Sequence, residues 1–106
     1  MDLQEVGYLI LWEYEVRPGL EAQFEAIYES SGTWARLFSS SSMYYGTYLH
    51  PDANHPRRYS TLDLWASASA FEEFQKQHSA EYAALDRECE KLTLSEKQIG
   101  RFERST

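Results

Sequence analysis

Three side chains of this 106-residue chain could accept a proton in a reaction: Asp63, His50 and His78. Asp63 lies in the middle of a predicted strand, on the same face as Tyr59 and Trp65, where an unpaired carboxylate is costly to bury. The alternative is a structural pair, in which Asp63 contacts a tyrosine hydroxyl or one of three arginines: Arg57, Arg58 and Arg101. Asp63 is therefore the most suggestive of the three candidate general bases.

Both histidines also have a plainer interpretation. His50 ends a predicted strand beside Pro51, a position typical of a solvent-exposed imidazole. His78 lies between two predicted helical segments, where a polar residue is expected in any case. A metal site built from His50, Asp52 and His55 matches no known ligand pattern, because the spacing is loose and the loop contains prolines. We therefore expect no metal site.

The charge balance excludes several classes of partner. The chain has 10 Lys+Arg and 17 Asp+Glu, a net charge of −7, which disfavours binding to nucleic-acid phosphates or to an anionic membrane. The lone Cys89 excludes an intramolecular disulfide. The longest apolar run, Tyr8 to Trp12, is far shorter than the roughly 20 residues that span a bilayer. We expect one cytoplasmic domain over residues 1–106, with no nucleic-acid or membrane partner.

Apolar periodicity predicts the elements that must position these side chains. Alternation indicates strands at 8–16, 43–50, 58–65 and 96–103, and the middle two form a hairpin around a proline-containing loop. A helix is predicted after Arg17, with Pro18 suited to its first position. A further short helical turn is predicted at 34–38. Further helical segments start at a Ser67 or Ser69 cap and cover 79–92. The order is β-α-β-β-α-β, the α+β ferredoxin-like fold, with a four-stranded antiparallel sheet and helices on one face.

The first strand is apolar on both faces. Ile10, Trp12, Tyr14 and Val16 lie on one face, and Leu9 and Leu11 lie on the other. Helices on one side of a four-stranded sheet leave its second face uncovered. The simplest cover is the same face of a second copy, so we expect a homodimer with its sheets packed face to face.

Several segments resemble the antibiotic biosynthesis monooxygenase family, whose members are dimeric α+β barrels. The likeness covers nearly the whole chain but rests mostly on structural positions. The segments that carry it are Trp12–Gly19, Phe24, Gly32–Trp34, Thr61–Trp65, Ala70–Phe74 and Ile99–Glu103. The resemblance implies the fold and the dimer firmly, and the chemistry only loosely.

The family includes cofactor-independent oxygenases of aromatic polyketides or quinols, and haem-degrading enzymes. The resemblance implies a substrate pocket between the sheet and the helices of one subunit, near the candidate bases Asp63, His50 and His78. Its walls would be six aromatic side chains: Trp12, Tyr14, Phe24, Trp34, Trp65 and Phe74. Trp12 and Phe74 depart from the asparagine and the histidine or tryptophan of relatives. Because Phe74 cannot ligate iron, haem degradation is the less favoured activity.

We therefore expect a monooxygenase that needs no cofactor and acts on an aromatic phenol, quinol or polyketide-like substrate. The alternative is a dimeric protein without catalytic activity that binds a small flat ligand, and haem binding or degradation is a third interpretation. A panel of anthrone-type phenols distinguishes the first two, because only an oxygenase consumes oxygen with them.

Overall fold

In the computed structural model, which describes residues 5–105, four strands form one antiparallel sheet. The elements follow one another as β1 (Tyr8–Val16), α1 (Glu21–Tyr28), α2 (Thr33–Phe38), β2 (Tyr44–Pro51), β3 (Arg58–Trp65), α3 (Ala68–Gln77), α4 (Ser79–Cys89), a single 3-10 turn (Glu90–Leu92) and β4 (Thr93–Glu103). The sheet order is β2-β3-β1-β4. The predicted ferredoxin-like α+β fold is confirmed, and each crossover carries two helices.

The two most apolar strands, β1 and β3, lie at the centre of the sheet. They pair from Tyr8 opposite Trp65 to Glu15 opposite Arg58. Strand β4 pairs with the other edge of β1, and shifts in register interrupt this ladder after Leu11 and again after Glu15. Because β1 is central, both of its edges are hydrogen-bonded to neighbouring strands.

Strand β2 lies one residue later than predicted, and α2 begins one residue earlier. Larger differences from the predictions occur in three places. Helix α1 begins at Glu21, so Pro18 is not its first residue and lies instead in the preceding turn, where Gly19 has a φ of +87°. Strand β4 begins earlier than predicted, at Thr93, because that residue pairs with Val16. The segment 79–92 forms helix α4 followed by the 3-10 turn instead of one helix.

The start of α3 is decided by one side chain. Ser67 is the N-cap, and its hydroxyl accepts a hydrogen bond from the Ala70 amide at 3.1 Å. The alternative cap at Ser69 is wrong, since Ser69 is already inside the helix. A serine in extended conformation before the first turn is the usual arrangement.

The core lies between the inner sheet face and the helices. Trp65, Phe24 and Val16 are fully buried, and Ile10 and Phe74 are nearly so. Aromatic rings dominate this layer and meet at tilted or edge-on angles, for example Phe38 and Trp65 at 5.4 Å and 72°. Such rigid rings fill the layer incompletely at one end of the sheet.

The outer sheet face has no helix over it. Leu9, Leu62 and Leu64 line a shallow apolar groove there, together with Tyr48 and Phe102, which are 45% and 49% exposed. This is the uncovered apolar face that the sequence predicts. Within residues 5–105, no helix is both long enough and apolar enough to cross a membrane.

Candidate functional site

A small cavity of about 110 Å³ lies between the inner sheet face and the helices and opens to solvent. Its volume is below that of typical ligand pockets, so a larger ligand would extend through its open mouth. Strands β1, β2, β3 and β4 supply its floor, and α1, α2 and α4 supply its walls. The lining residues are Trp12, Tyr14, Tyr28, Trp34, Phe38, Thr47, Thr61, Asp63, Tyr82, Asp86 and Glu96.

Aromatic rings make the sides of the cavity. Trp12 and Tyr14 occupy alternate inner positions of β1, and their rings stack at 6.2 Å and 21°. Trp34, on α2, meets the edge of the Tyr82 ring at 5.0 Å. Tyr28 packs against Tyr14 at 4.9 Å. Flat walls at these angles suit a planar aromatic ligand.

Asp63 is held by a chain of hydroxyls. Thr47 lies directly opposite it in the β2–β3 ladder and donates a hydrogen bond to its Oδ1 at 2.7 Å. Tyr44 in turn donates to the Thr47 hydroxyl at 2.6 Å. Because Thr47 is only 2% exposed, it holds the carboxylate in one orientation.

Two of the three arginines considered as partners for Asp63 have contacts elsewhere, and the buried Nε of Arg57 has no hydrogen-bond partner among the described residues. The Arg58 guanidinium lies 4.0 Å from both Glu13 and Asp52. Arg101 donates to the Tyr8 hydroxyl at 3.2 Å. Within residues 5–105, no salt bridge reaches Asp63, and the hydrogen bond to its side chain comes from the Thr47 hydroxyl.

The surroundings of Asp63 favour its protonated form. Burial raises the pKa of this carboxyl to about 6, and the hydrogen bond from Thr47 opposes part of that rise. A base with a pKa near neutrality is ionised at pH 7 and still holds a proton well once it has accepted one. The second carboxylate oxygen has no hydrogen-bond donor among the described residues, so it is available to a ligand in the cavity.

The tyrosines of the lining are uncharged. Burial is the main cause that raises the pKa of Tyr14, Tyr28 and Tyr82, and nearby carboxylates add to the rise. Neutral phenols keep their hydroxyl proton, so they serve as hydrogen-bond donors rather than as anions.

Two further carboxylates line the cavity, Asp86 of α4 and Glu96 of β4. Desolvation raises the pKa of Glu96, and the charges of Asp86 and Glu90 raise it further. The lining contains no lysine, arginine or histidine among the described residues. The electrostatic environment of the cavity is therefore negative.

No protein-family model matches the chain, and no curated protein is similar to it in sequence. Solved structures do match. SnoaB, a cofactor-independent oxygenase from Streptomyces nogalater, superposes with a TM-score of 0.76 over 95% of each chain at 16% identity. A candidate antibiotic biosynthesis monooxygenase from Bordetella bronchiseptica gives 0.68 at 20% identity, over 94% of this chain and 99% of that one.

A candidate antibiotic biosynthesis monooxygenase from Nitrosomonas europaea gives a TM-score of 0.72 at 10% identity, over 98% of this chain and 95% of that one. This chain has the antibiotic biosynthesis monooxygenase fold. At these identities the likeness concerns the fold, and the resemblance that the sequence suggested is confirmed at that level.

Within this monooxygenase fold, four predicted site residues meet at the cavity: Trp12, Tyr14, Trp34 and Asp63. Three other predicted wall residues do not line it. Phe24 is fully buried and stacks on Tyr28 at 4.2 Å, while Trp65 and Phe74 lie deeper in the core, 5.5 Å apart. They support the cavity walls from behind.

Both candidate histidines lie away from the cavity. His50 is exposed at the opposite sheet face, beside the apolar groove. His78 stacks on the Phe74 ring at 4.8 Å, and its Nδ1 lies 3.2 Å from Glu81. His55 lies 3.9 Å from Glu15, and no three acidic, histidine or cysteine side chains within residues 5–105 are grouped to hold a metal ion.

Sequence reasoning did not name several lining residues. Tyr82 and Asp86 lie one helical turn apart on α4, so the same spacing that indicated the apolar face of that helix could have identified both. Thr47 and Glu96 reach the cavity only through strand register, opposite Asp63 and Tyr14 respectively. Periodicity alone does not give register, so these two required the structure.

Proposed function

We propose that the protein is a cofactor-independent monooxygenase that oxidises a phenolic aromatic substrate in this cavity, with Asp63 as the general base. The observation that carries the proposal is a partly buried carboxylate with a pKa of about 6, hydrogen-bonded by Thr47 on the floor of an aromatic cavity. The named activity of SnoaB, which has the same fold, is consistent with it.

Oxygenation without a cofactor requires a general base and a binding site from which most water is excluded. Asp63 takes a proton from the activated CH₂ of an anthrone-type substrate, and the resulting anion gives one electron to O₂. The substrate radical and superoxide then join through a new C–O bond, and the peroxide anion takes the proton back from Asp63. Cleavage of the O–O bond with loss of the remaining hydrogen gives a carbonyl and water, so CH₂ + O₂ becomes C=O + H₂O.

The remaining lining residues position the substrate and stabilise charge. Trp12, Tyr14 and Trp34 hold the ring between flat faces. Neutral tyrosine hydroxyls supply donors for the oxyanion that develops when the proton leaves.

A ligand-binding protein without turnover is the second candidate, and it is favoured by the lack of an imidazole among the lining residues. Haem ligation fits the lining poorly. Its only axial donors of the usual kinds are tyrosines, and burial raises the pKa of Tyr14 and Tyr28, which disfavours the phenolate that iron requires.

We also propose that the protein is a homodimer whose subunits meet through the outer sheet face. The apolar groove around Leu62 and Leu64, with the exposed rings of Tyr48 and Phe102, gives each copy a self-complementary surface. The cytoplasm is the compartment that we propose, since a lone buried cysteine suits a reducing environment.

Oxygen uptake with a panel of anthrone-type phenols and hydroquinones tests the proposed reaction. We expect uptake above the rate without enzyme, and a loss of about 100-fold or more in Asp63→Asn, as is typical for removal of a general base. His50→Asn and His78→Asn are matched controls that keep the rate, because both side chains lie outside the cavity. A wild-type protein that consumes no oxygen with any member of the panel supports the ligand-binding alternative instead.

A further inference from the structure

We propose that the natural substrate carries a protonated amine, so that the cavity selects an aromatic cation over neutral or anionic aromatics of the same shape. This inference depends on the proposed function only in assuming that the bound molecule is then oxidised. The charge preference itself is a binding property of the cavity, and it is measured separately.

Charge is the first argument. Asp63, Asp86 and Glu96 all line the cavity, and no basic side chain accompanies them among its lining residues. Within residues 5–105, none of the three carboxylates takes part in a salt bridge. Carboxylates in other parts of the chain do find cations, such as Glu13 near Arg58. Glu96 is exposed to solvent, but Asp63 and Asp86 are partly buried, and no basic side chain of the lining balances their charge.

The walls supply the second argument, independent of the acids. Five aromatic residues line the cavity: Trp12, Tyr14, Tyr28, Trp34 and Tyr82. The faces of such rings attract cations, and cages of tyrosine and tryptophan are a general means of binding ammonium groups. Rings and carboxylates together favour a positive charge more than either does alone.

The charge of Arg101 reaches the cavity lining, where it opposes part of the rise in the pKa of Tyr82. Arg101 donates to the Tyr8 hydroxyl and to Gln98, both at 3.2 Å, and its guanidinium lies 5.3 Å from the centre of the Phe71 ring. Arg101 is absent from the lining. A ligand's ammonium group would therefore meet no cationic side chain among the lining residues.

The proposed reaction gives a third reason. A substrate anion that forms in this cavity is repelled by the like charges of Asp86 and Glu96. An ammonium group on the same molecule offsets that repulsion while the anion exists, so a cationic substrate makes the negative lining compatible with deprotonation.

Three phenols of matched shape test the charge preference: tyramine as the cation, 4-propylphenol as the neutral probe and 3-(4-hydroxyphenyl)propionate as the anion. Their dissociation constants are measured at pH 7 by calorimetry and by quenching of tryptophan fluorescence. We expect tyramine to bind about tenfold or more tighter than the anion, and tighter than the neutral phenol. The preference weakens as salt is raised, as expected for a partly exposed charge pair.

Variants separate the lining acids from the total charge of the protein. In the double variant Asp86→Asn/Glu96→Gln, we expect the affinity for tyramine to fall severalfold. The affinity for 4-propylphenol should change much less. Glu72→Gln/Glu88→Gln removes the same net charge from exposed positions on α3 and α4 and keeps the preference. Equal or tighter binding of the anion overturns the inference, as does absence of tyramine binding at millimolar concentration. If tyramine is preferred while no phenol is oxidised, the inference holds and the proposed reaction fails.

Discussion

At the scale of single residues, Asp63 is the most informative side chain. It lies on an inner face of β3 among aromatic rings, where folding removes it from water and gives it hydroxyl partners but no cation. A residue chosen for stability alone would not carry this cost. A base in a water-poor site carries such a free-energy cost, because its charged form is poorly solvated. The cost can be measured from protein stability without knowing the substrate.

The pKa of Asp63 predicts how Asp63→Asn changes stability with pH. Folding raises the pKa from 3.8 to about 6, so the folded state holds the proton more tightly than the unfolded state does. Ionisation of Asp63 therefore does not reduce the free energy of unfolding below pH 4. The reduction grows between pH 4 and 6 and reaches its full value above pH 6. We expect the Asp63→Asn substitution to stabilise the protein by up to about 3 kcal/mol at pH 8 and little at pH 4.

Urea unfolding of both proteins at these pH values measures the difference. Glu72→Gln, an exposed change on α3, is the control, and its effect should stay the same at both pH values. A stability difference for Asp63→Asn that does not grow with pH would show that the carboxylate is not desolvated.

At the scale of elements, the first and third strands were the most predictable. Both match their predicted bounds, because each is a clean run of apolar or alternating residues closed by turn residues. Cap choice, strand register and the added start of β4 were not predictable, since they depend on pairing between distant segments such as Val16 and Thr93. The same limit separates the cavity residues that were named from Thr47 and Glu96, which were not.

The cap of α3 is open to a simple test. Ser67→Ala removes the hydroxyl that accepts from the Ala70 amide, and we expect a loss of about 1 kcal/mol in the free energy of unfolding. Ser69→Ala is the matched control at the alternative cap, with an expected loss below about 0.5 kcal/mol. Thermal or urea unfolding compares them. A larger loss of stability from Ser69→Ala than from Ser67→Ala would show that Ser69, and not Ser67, is the N-cap.

At the scale of the whole molecule, the two sheet faces have different roles. The inner face holds the core and the cavity, while the outer face exposes Tyr48 and Phe102 around buried or half-buried leucines. A small domain gains stability from covering such a surface. Aromatic residues therefore lie both around the inner cavity and on the outer sheet face. The sequence predicted an aromatic pocket and an uncovered apolar face, but it did not show all of the residues that border each.

Sedimentation equilibrium tests the proposed dimer. We expect a species of twice the 12.4 kDa chain mass at micromolar concentration. Leu62→Lys places a charge in the outer groove and should give monomers, because burying an unpaired ammonium group is costly. Ala83→Lys adds the same charge on the exposed side of α4 and should leave the dimer intact. A wild-type monomer would contradict the proposed assembly.

The proposed reaction is tested most directly by the fate of isotopic oxygen in the same incubation that measures oxygen uptake. Under ¹⁸O₂, wild-type protein with an anthrone-type phenol should give a quinone that carries one ¹⁸O atom, at a rate that Asp63→Asn does not sustain. A quinone whose new oxygen is unlabelled, or product formation equal in wild type and Asp63→Asn, would contradict the account.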